Sequence, residues 1–395
     1  MSPLPKIPQY SELAPNFTMK IGEAGSVPSD EVLPGLDDAK ELIEEVSYES
    51  STEICDKMVI TCNNPENVIL ENNLFPEGAI VDIFMGYGGV HEFIGRAELL
   101  RWLPSFGRSE MPSFTVEGLA LENVFMRNDG PDESAGETWT FGKDALASDV
   151  ITEILSRKVY TKYKFKTNIT PTKVKRMWNQ KKGQNDWQFM KLLAAFHDFD
   201  LWVESDETGD TVVFAPMDDS ASSEGELLYK SGYESHLLDF DPEWGFEDIP
   251  TAVEVVTVDK KTGELSVQRV ETVIPDSKAK RKSKPKPIVY GSSVYLGVYG
   301  ERVMRAEVKS GNAQAAAQAA VAQFRTKLKN FFVGTGHLSG HPYFKARQIW
   351  TLGGLGDRLN NDYYFHRVKH TMNPDSIYEV DFGARLILPP EVAYE

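Results

Sequence analysis

The chain has 395 residues, 41% hydrophobic, 26% charged and 11% aromatic, with 30 glycines and 22 prolines. That length is too great for one core and allows two to three domains, and the profile excludes a disordered, collagen-like or coiled-coil chain. The net charge of −17 falls in blocks: residues 1–60 hold 12 acids and 4 bases, 204–247 hold 13 acids against Lys230, and 157–191 hold 11 Lys/Arg against Asp186. Such blocks are either solvated faces or surfaces that dock acid against base.

Residues 1–35 are Pro-rich, polar and without period, and read as an extended arm. Their first stretch, MSPLPKIPQYSELAPNF, lacks the basic start and apolar run of a secretory leader. No segment reaches the ~20 apolar residues of a membrane span. From Glu45 to about Glu122 the pattern is strands and turns. SYESSTEICDKMVITC makes one or two strands, and GAIVDIFMGY sets Ile80, Asp82 and Phe84 opposite Val81, Ile83 and Met85. VHEFIGRAELLRWLPSF and SFTVEGLALENVF continue the series, so 36–130 reads as a first antiparallel barrel-like domain. Its Cys55 and Cys62 are seven apart, which on one continuous strand points them to opposite faces as small buried hydrophobes. Two cysteines give no disulfide framework.

Residues 131–218 read as an α/β domain. DALASDVITEILSR has Leu146, Val150, Ile151, Ile154 and Leu155 at helical spacing. KVYTKYKFKT is expected as a strand, with Tyr163 and Phe165 on one face and Lys162, Lys164 and Lys166 on the other. Asn185 is the expected N-cap of the helix DWQFMKLLAAFHDF, with Gln188 at N3, and the strands LWVES and TVVFAP follow. Residues 219–390 form a second strand-rich, barrel-like domain. TAVEVVTVD and ELSVQRVETVI pair as a hairpin across Lys260–Gly263, and SKAKRKSKPKP gives a basic loop at 278–286. In the helix 312–330, Ala316, Ala320, Phe324 and Leu328 recur every fourth residue. KARQIWTLGG, DYYFHRVKHTM and SIYEVDFGARLIL are the closing strands. The fold class is therefore α+β and mostly β, two barrel-like domains around an α/β domain.

The chemistry-bearing patterns are weak. Gly353–Gly356 lacks the GK[ST] ending of a phosphate loop, as does Gly334–Gly340, and both read as turns between strands. His366 and His370, like His337 and His341, are four apart, a chelating interval on a helix but about 13 Å on a strand of ~3.3 Å rise. Asp239, Asp241 and Glu243, or Glu44 and Glu45, are clusters that a chain with 59 acids holds by chance. The sequence offers no G-x-S-x-G, HExxH or Cys–His signature, so no catalytic, cofactor or metal residue is assigned. In 157–191, lysines interleave with Tyr163, Phe165, Trp178 and Trp187, either a nucleic-acid stacking surface or charged edges that resist aggregation.

Four stretches together resemble a known family: FPEGAIVDIFMGYGGVHEFIGRAELL, TWTFGKDALASDVITEILSRKVYTKYKF, GQNDWQFMKLLAAFHDFDLWVESDETGDTVVFAP and GHPYFKARQIWTLGGLGDRLNNDYYFHRVKHTMNPDSIYEVDFGARL. In order and spacing they are similar to the tail baseplate hub proteins of contractile-tailed phages, the late control gene D group, related to the N-terminal halves of type VI secretion spike proteins. Ala346 and the Asn361–Asp362 pair depart from glycines usual in that family. The resemblance implies a non-enzymatic virion protein assembled in the host cytoplasm. It implies a homotrimeric ring with tail-tube-like (barrel) domains that adapts a sixfold tube to a threefold central spike and passes DNA through its lumen. Implied partners are the spike, the tube or distal tail protein, baseplate wedge proteins and the tape-measure protein, with no membrane insertion and no cofactor. The alternatives are the hub or spike of a contractile injection or type VI-like secretion system, and a tail-associated cell-wall hydrolase. The sequence up to Glu395 holds no Gly-rich β-helix repeat and no segment outside the hub-like stretches for a hydrolase, which sets the stand-alone hub first.

Overall fold

The structure, a computed structural model, describes residues 14–24, 28, 40–107, 111–127, 138–216, 221–230, 236–245, 250–258, 265–271, 300–307, 313–329, 331–357, 359–373 and 377–387. The basic loop 278–286, the hairpin turn 260–263 and the boundary near 130 lie outside the described residues.

The first region contributes β1 (Pro15–Ala24), β2 (Ile43–Ser51), β3 (Lys57–Asn63), β4 (Ala79–Tyr87), β5 (Val90–Ser105) and β6 (Ser113–Leu119). Part of the expected arm is thus a strand. Phe17, Met19 and Ile21 alternate into the core while β1 pairs antiparallel with β4, from Pro15 opposite Tyr87 to Ala24 opposite Ala79. The flanking prolines obscure this short alternation. β4 is buried on both faces: Val81, Ile83 and Met85 join the main core, and Ile80 joins a second one. Burial on both sides accounts for its nearly unbroken apolar run.

The middle region contains β7 (Thr138–Leu146), α1 (Ala147–Leu155), β8 (Lys166–Ile169), β9 (Lys175–Lys181), α2 (Asp186–His197), β10 (Phe199–Asp206) and β11 (Gly209–Pro216). Asn185 caps α2 as expected, its side chain accepting from the Gln188 amide at 2.8 Å. The strand expected over 158–167 is instead a 3-10 turn, Thr161–Tyr163, ended by Lys164 at φ 53°; only β8, from Lys166, is extended. The lysine/aromatic alternation there imitates a strand. The rings are drawn inward, Tyr160 and Phe165 lying 4.7 and 5.1 Å from Phe125.

The last region holds β12 (Glu226–Leu228), β13 (Leu237–Trp244), β14 (Ala252–Val258), β15 (Leu265–Glu271), β16 (Val303–Glu307), α3 (Ala313–Lys329), β17 (Phe332–Ser339), β18 (Ile349–Gly353), β19 (Asn361–Asn373) and β20 (Ile377–Leu386). β14 and β15 form the expected antiparallel hairpin, and β16 adds to β14 in parallel. Ala316, Ala320, Phe324 and Leu328 are all buried along α3, as their spacing requires.

Strands of the first and last regions belong to one sheet, in the order β1-β4-β5-β6-β3-β2-β19-β20-β17-β13, with β18 joined to β19 and β12. The join is the antiparallel pair of β2 and β19, from Ser51 opposite Arg367 to Val46 opposite Met372. One apolar cluster runs beneath both halves, from Val46, Met58 and Ile60 to Phe324, Val380 and Phe382. Among the described residues no strand pairing joins β1 to β13, and a single parallel bridge, Tyr229 to Leu237, links the end of β12 to β13 and so rounds off the last region. Gly334 and Gly336, expected in a turn, lie within β17. A Cβ on Gly334 would sit 2.5 Å from the Phe240 ring, and one on Gly336 2.4 Å from the Asp239 carbonyl and 2.7 Å from the Phe382 ring. Glycine lets those rings lie directly on the strand.

Candidate interaction surface

The sheet's strand period sorts its side chains into two faces. In β3 and β6, Met58, Ile60, Cys62, Phe114 and Val116 point into the core while Lys57, Thr61, Thr115 and Glu117 point out. The outward face carries a row of charge that crosses eight strands. Arg101 on β5 approaches Glu117 on β6 at 3.4 Å, and Lys57 on β3 holds the same carboxylate at 2.7 Å. Glu49 on β2 stands opposite Lys57 on one side and opposite Lys369 of β19 on the other, and also holds Arg367 at 2.6 Å. Lys369 faces Asp381 on β20, whose carboxylate lies 3.3 Å from Nε2 of His337 on β17. The row ends on β13, where Asp239 meets His337 Nδ1 at 2.7 Å. In order the signs alternate when His337 is protonated: Arg101, Glu117, Lys57, Glu49, Lys369, Asp381, His337, Asp239.

Pairs this exposed contribute only about 0–1 kcal/mol each, so the row is not what holds the sheet together. The hydrogen bond to Asp239 raises the His337 pKa against the opposing effect of burial, with the charges of Asp239, Asp381 and Glu379 adding to the rise. Beside Asp239, Asp241 and Glu243 extend the acidic end along β13. They line a cavity of about 530 Å³ with Asp198, Lys329, His366 and Arg385, between the ends of α2 and α3 and the sheet.

On the same side of the sheet, away from the main core, buried ions fix the α/β unit to it. Arg96 on β5 has no exposed side-chain surface; its Nε and Nη2 donate to Asp82 at 2.7 and 2.9 Å, and Nη1 donates to Asp210 of β11 at 3.1 Å. Burial pushes the Asp82 carboxyl up, against the pull of Arg96. At the end of α2, Asp198 receives Arg325 at 2.7 Å and Lys329 at 2.9 Å, both from α3. Glu122, wholly buried after β6, accepts from the Val203 amide at 3.3 Å; burial and the neighbouring Asp56 push its pKa up to about 8.

Most of the patterns read in the sequence are accounted for as structure. His370 is buried in β19 between the Tyr378 hydroxyl and the Phe344 carbonyl, each at 2.8 Å, and burial lowers its pKa to about 4. His366 lies on the same strand at the bulge after Phe365, its pKa also lowered by burial. His341 is buried beyond β17, away from exposed His337. Among the described residues no group of three His, Cys, Asp or Glu converges as metal ligands do. Gly354 and Gly356 take positive φ in the turn after β18, as expected. Cys62 is on β3, but Cys55 lies in the loop before it and is only half-buried, so the two do not share a strand. Burial and the nearby Glu122 push the Cys55 thiol far up, which makes it unreactive. Trp178 and Trp187 are buried in the second core, and Tyr163 and Phe165 pack against it, so these rings offer no stacking planes. Glu44 is exposed and Glu45 half-exposed on β2. What the sequence reading missed is the row itself. Its members sit at strand spacing, but only the strand order brings them together.

No family model matches the chain, and no curated protein matches it in sequence. Solved structures do match. A tail protein from Neisseria meningitidis MC58 superposes with a TM-score of 0.65 at 12% identity, covering 94% of this chain and 96% of its own. A 43 kDa tail protein of prophage MuSo2 from Shewanella oneidensis gives 0.63 at 10% identity, over 97% and 100%. An E. coli component of the type VI secretion system, itself described as similar to T4 phage tail proteins, gives 0.51 at 10%, over 89% and 75%. The chain has the tail-protein fold. That fold is mostly β, antiparallel sheet with an α/β unit joined to it, and the likeness covers 96% and 100% of the two tail proteins.

Proposed function

We propose that this protein is a structural hub of a phage tail baseplate, a non-enzymatic ring component acting between tail tube and central spike. The observation that carries the reading is the edge-to-edge joining of two strand-rich regions into one sheet through β2 and β19. One chain thereby supplies two sheet segments, and three chains in a ring supply six. Such a ring presents a near-sixfold face to a tube and keeps a threefold axis for a spike. The likeness to tail proteins over nearly the whole of both chains supports the same reading. So does the polar outward face, which suits a water-filled lumen through which DNA passes. The partners follow: further copies of this chain, the spike, the tube or distal tail protein, wedge proteins and the tape-measure protein. The site of action is the virion tail, after assembly in the host cytoplasm.

The test is reconstitution. Mixed with the tube and spike proteins of a contractile tail, the purified chain is expected to cap tube ends in electron micrographs and to bind the spike as three chains to three. Failure to bind either protein would remove the adaptor role. The shared fold with a secretion-system component favours a second reading, the hub of a contractile injection machine. It differs in the identity of the tube, and the same binding experiment with the two tubes separates them.

A further inference from the structure

Between Lys158 and Lys182 the sequence holds nine Lys/Arg and no Asp or Glu, in a chain of net charge −17. The structure divides the cations of this part of the α/β unit into two sets. Arg157 holds both oxygens of Asp186 at 2.6 Å, and Arg176 stacks over Trp178 and Phe196. Lys166 donates to the Thr208 hydroxyl at 2.7 Å, and Lys191 pairs with Asp200 at 3.1 Å. Lys158, Lys162, Lys164, Lys181 and Lys182 are exposed, and among the described residues none of the five has an ion pair. Asp186 brings them together. Its side chain is buried and accepts from Arg157, from the Tyr160 hydroxyl at 2.5 Å and from the Gln180 amide at 2.7 Å. That carboxylate ties the turn 158–164 to the turn 181–186, and Arg157 neutralises it, so it does not offset the lysines outside.

We propose that these two turns bind the phosphate backbone of duplex DNA without reading its sequence. Lysine heads on flexible stems act as point charges, which suit a linear array of phosphates. The rings that interleave with them do not face outward. Tyr160, Trp178 and Trp187 are buried in the second core and Phe165 packs against it, so unpaired bases find no plane to stack on, and a paired duplex fits. Of the large exposed apolar side chains among the described residues, only Val159, 46% exposed, lies in these turns. That is too little for the apolar centre of a protein interface, and it favours a contact made by charge alone. Protection of an open strand edge explains less. β9 has only β7 beside it among the described residues, yet Lys181 alone of the five belongs to β9. This surface goes beyond the hub reading and does not depend on it.

The experiment follows the fluorescence anisotropy of a labelled duplex of about 30 base pairs and mixed sequence as the full chain is added. Contacts with about five phosphates give a slope of about −4.5 in log affinity against log salt, roughly a five-hundredfold loss from about 50 to 200 mM. The variant K158Q/K162Q/K164Q/K181Q/K182Q is expected to bind roughly a hundredfold more weakly at the lower salt, with most of that slope gone and the melting temperature unchanged. K327Q/K345Q, at exposed lysines outside these turns, is expected to stay within about twofold of the wild type. No binding at the lower salt, or binding that the five-lysine variant keeps, overturns the inference. So does tighter binding of a single strand, which would mean that bases are read. If poly-glutamate or anionic phospholipid vesicles compete as well as the duplex at equal charge, the patch serves an acidic protein or a membrane and the DNA assignment falls. A chain that caps tubes but does not bind the duplex keeps the hub reading and loses this one, and the reverse result does the opposite.

Discussion

Removing the guanidinium of Arg96 tests how the α/β unit is attached to the sheet. In R96M the side-chain stem remains, but Asp82 and Asp210, whose side chains are 4% and 0% exposed, lose the cation they share. Two unit charges about 4 Å apart interact by roughly 4 kcal/mol at an effective dielectric of 20, and breaking a buried pair by deleting one partner costs about 3–5 kcal/mol. The expected loss is therefore about 3–5 kcal/mol at pH 7, measured by equilibrium urea unfolding followed by tryptophan fluorescence. The deficit carries a pH signature. Burial already pushes the Asp82 carboxyl up, and without Arg96 it rises further. The penalty is thus fully present above the folded pKa of the stranded Asp82 carboxyl and shrinks as acid protonates it. Restoring neutrality with D82N and D210N in the R96M background is expected to recover most of the loss. A deficit under about 1 kcal/mol, or one that does not shrink as the pH falls, would mean that this ion triad is not a buried joint.

Other consequences are equally specific. Glu122 has its pKa raised from 4.5 to about 8 by burial, so it stabilises the folded chain fully below 4.5 and that contribution is lost as pH rises toward 8; E122Q is expected to flatten the decline in thermal stability across that window. His337 is raised above 6.5, so its pairing with Asp239 and Asp381 contributes below that value and fades as pH rises through its folded pKa; NMR titration is expected to give a midpoint above 6.5, returning toward it in D239N. G336A places a methyl 2.4 Å from a backbone carbonyl and 2.7 Å from the Phe382 ring, and overpacking of this kind costs about 1–3 kcal/mol, read as a lowered melting temperature. N185A removes the cap of α2 and is expected to cost about 1 kcal/mol in urea unfolding, with the sheet's amide-exchange protection unchanged.

What was legible in the sequence was local. Asn185 and Gln188 announce α2 because a cap is a three-residue event, and Ala316 to Leu328 announce α3 because a helix repeats its face every turn. The alternation in β4 was readable, and so was the β14–β15 hairpin. The segment 158–167 misled because Lys and aromatic residues alternate there, yet Lys164 adopts a left-handed turn and Phe165 turns into the core. The strand β1 was hidden among prolines. The joining of β2 to β19 was out of reach, since Arg367 and Glu49 are 318 residues apart and nothing in either strand names its partner. The charge row depends on that join and on the register of eight strands. Its residues therefore looked like scattered surface charges until the strand order placed them side by side.

The central claim is that several copies of this chain make a ring. Mass measurement by light scattering, with electron micrographs of the same peak, tests it most directly. Three chains around an open centre are expected. A compact monomer at every concentration, unchanged when the chain is co-expressed with its tube and spike proteins, would contradict it.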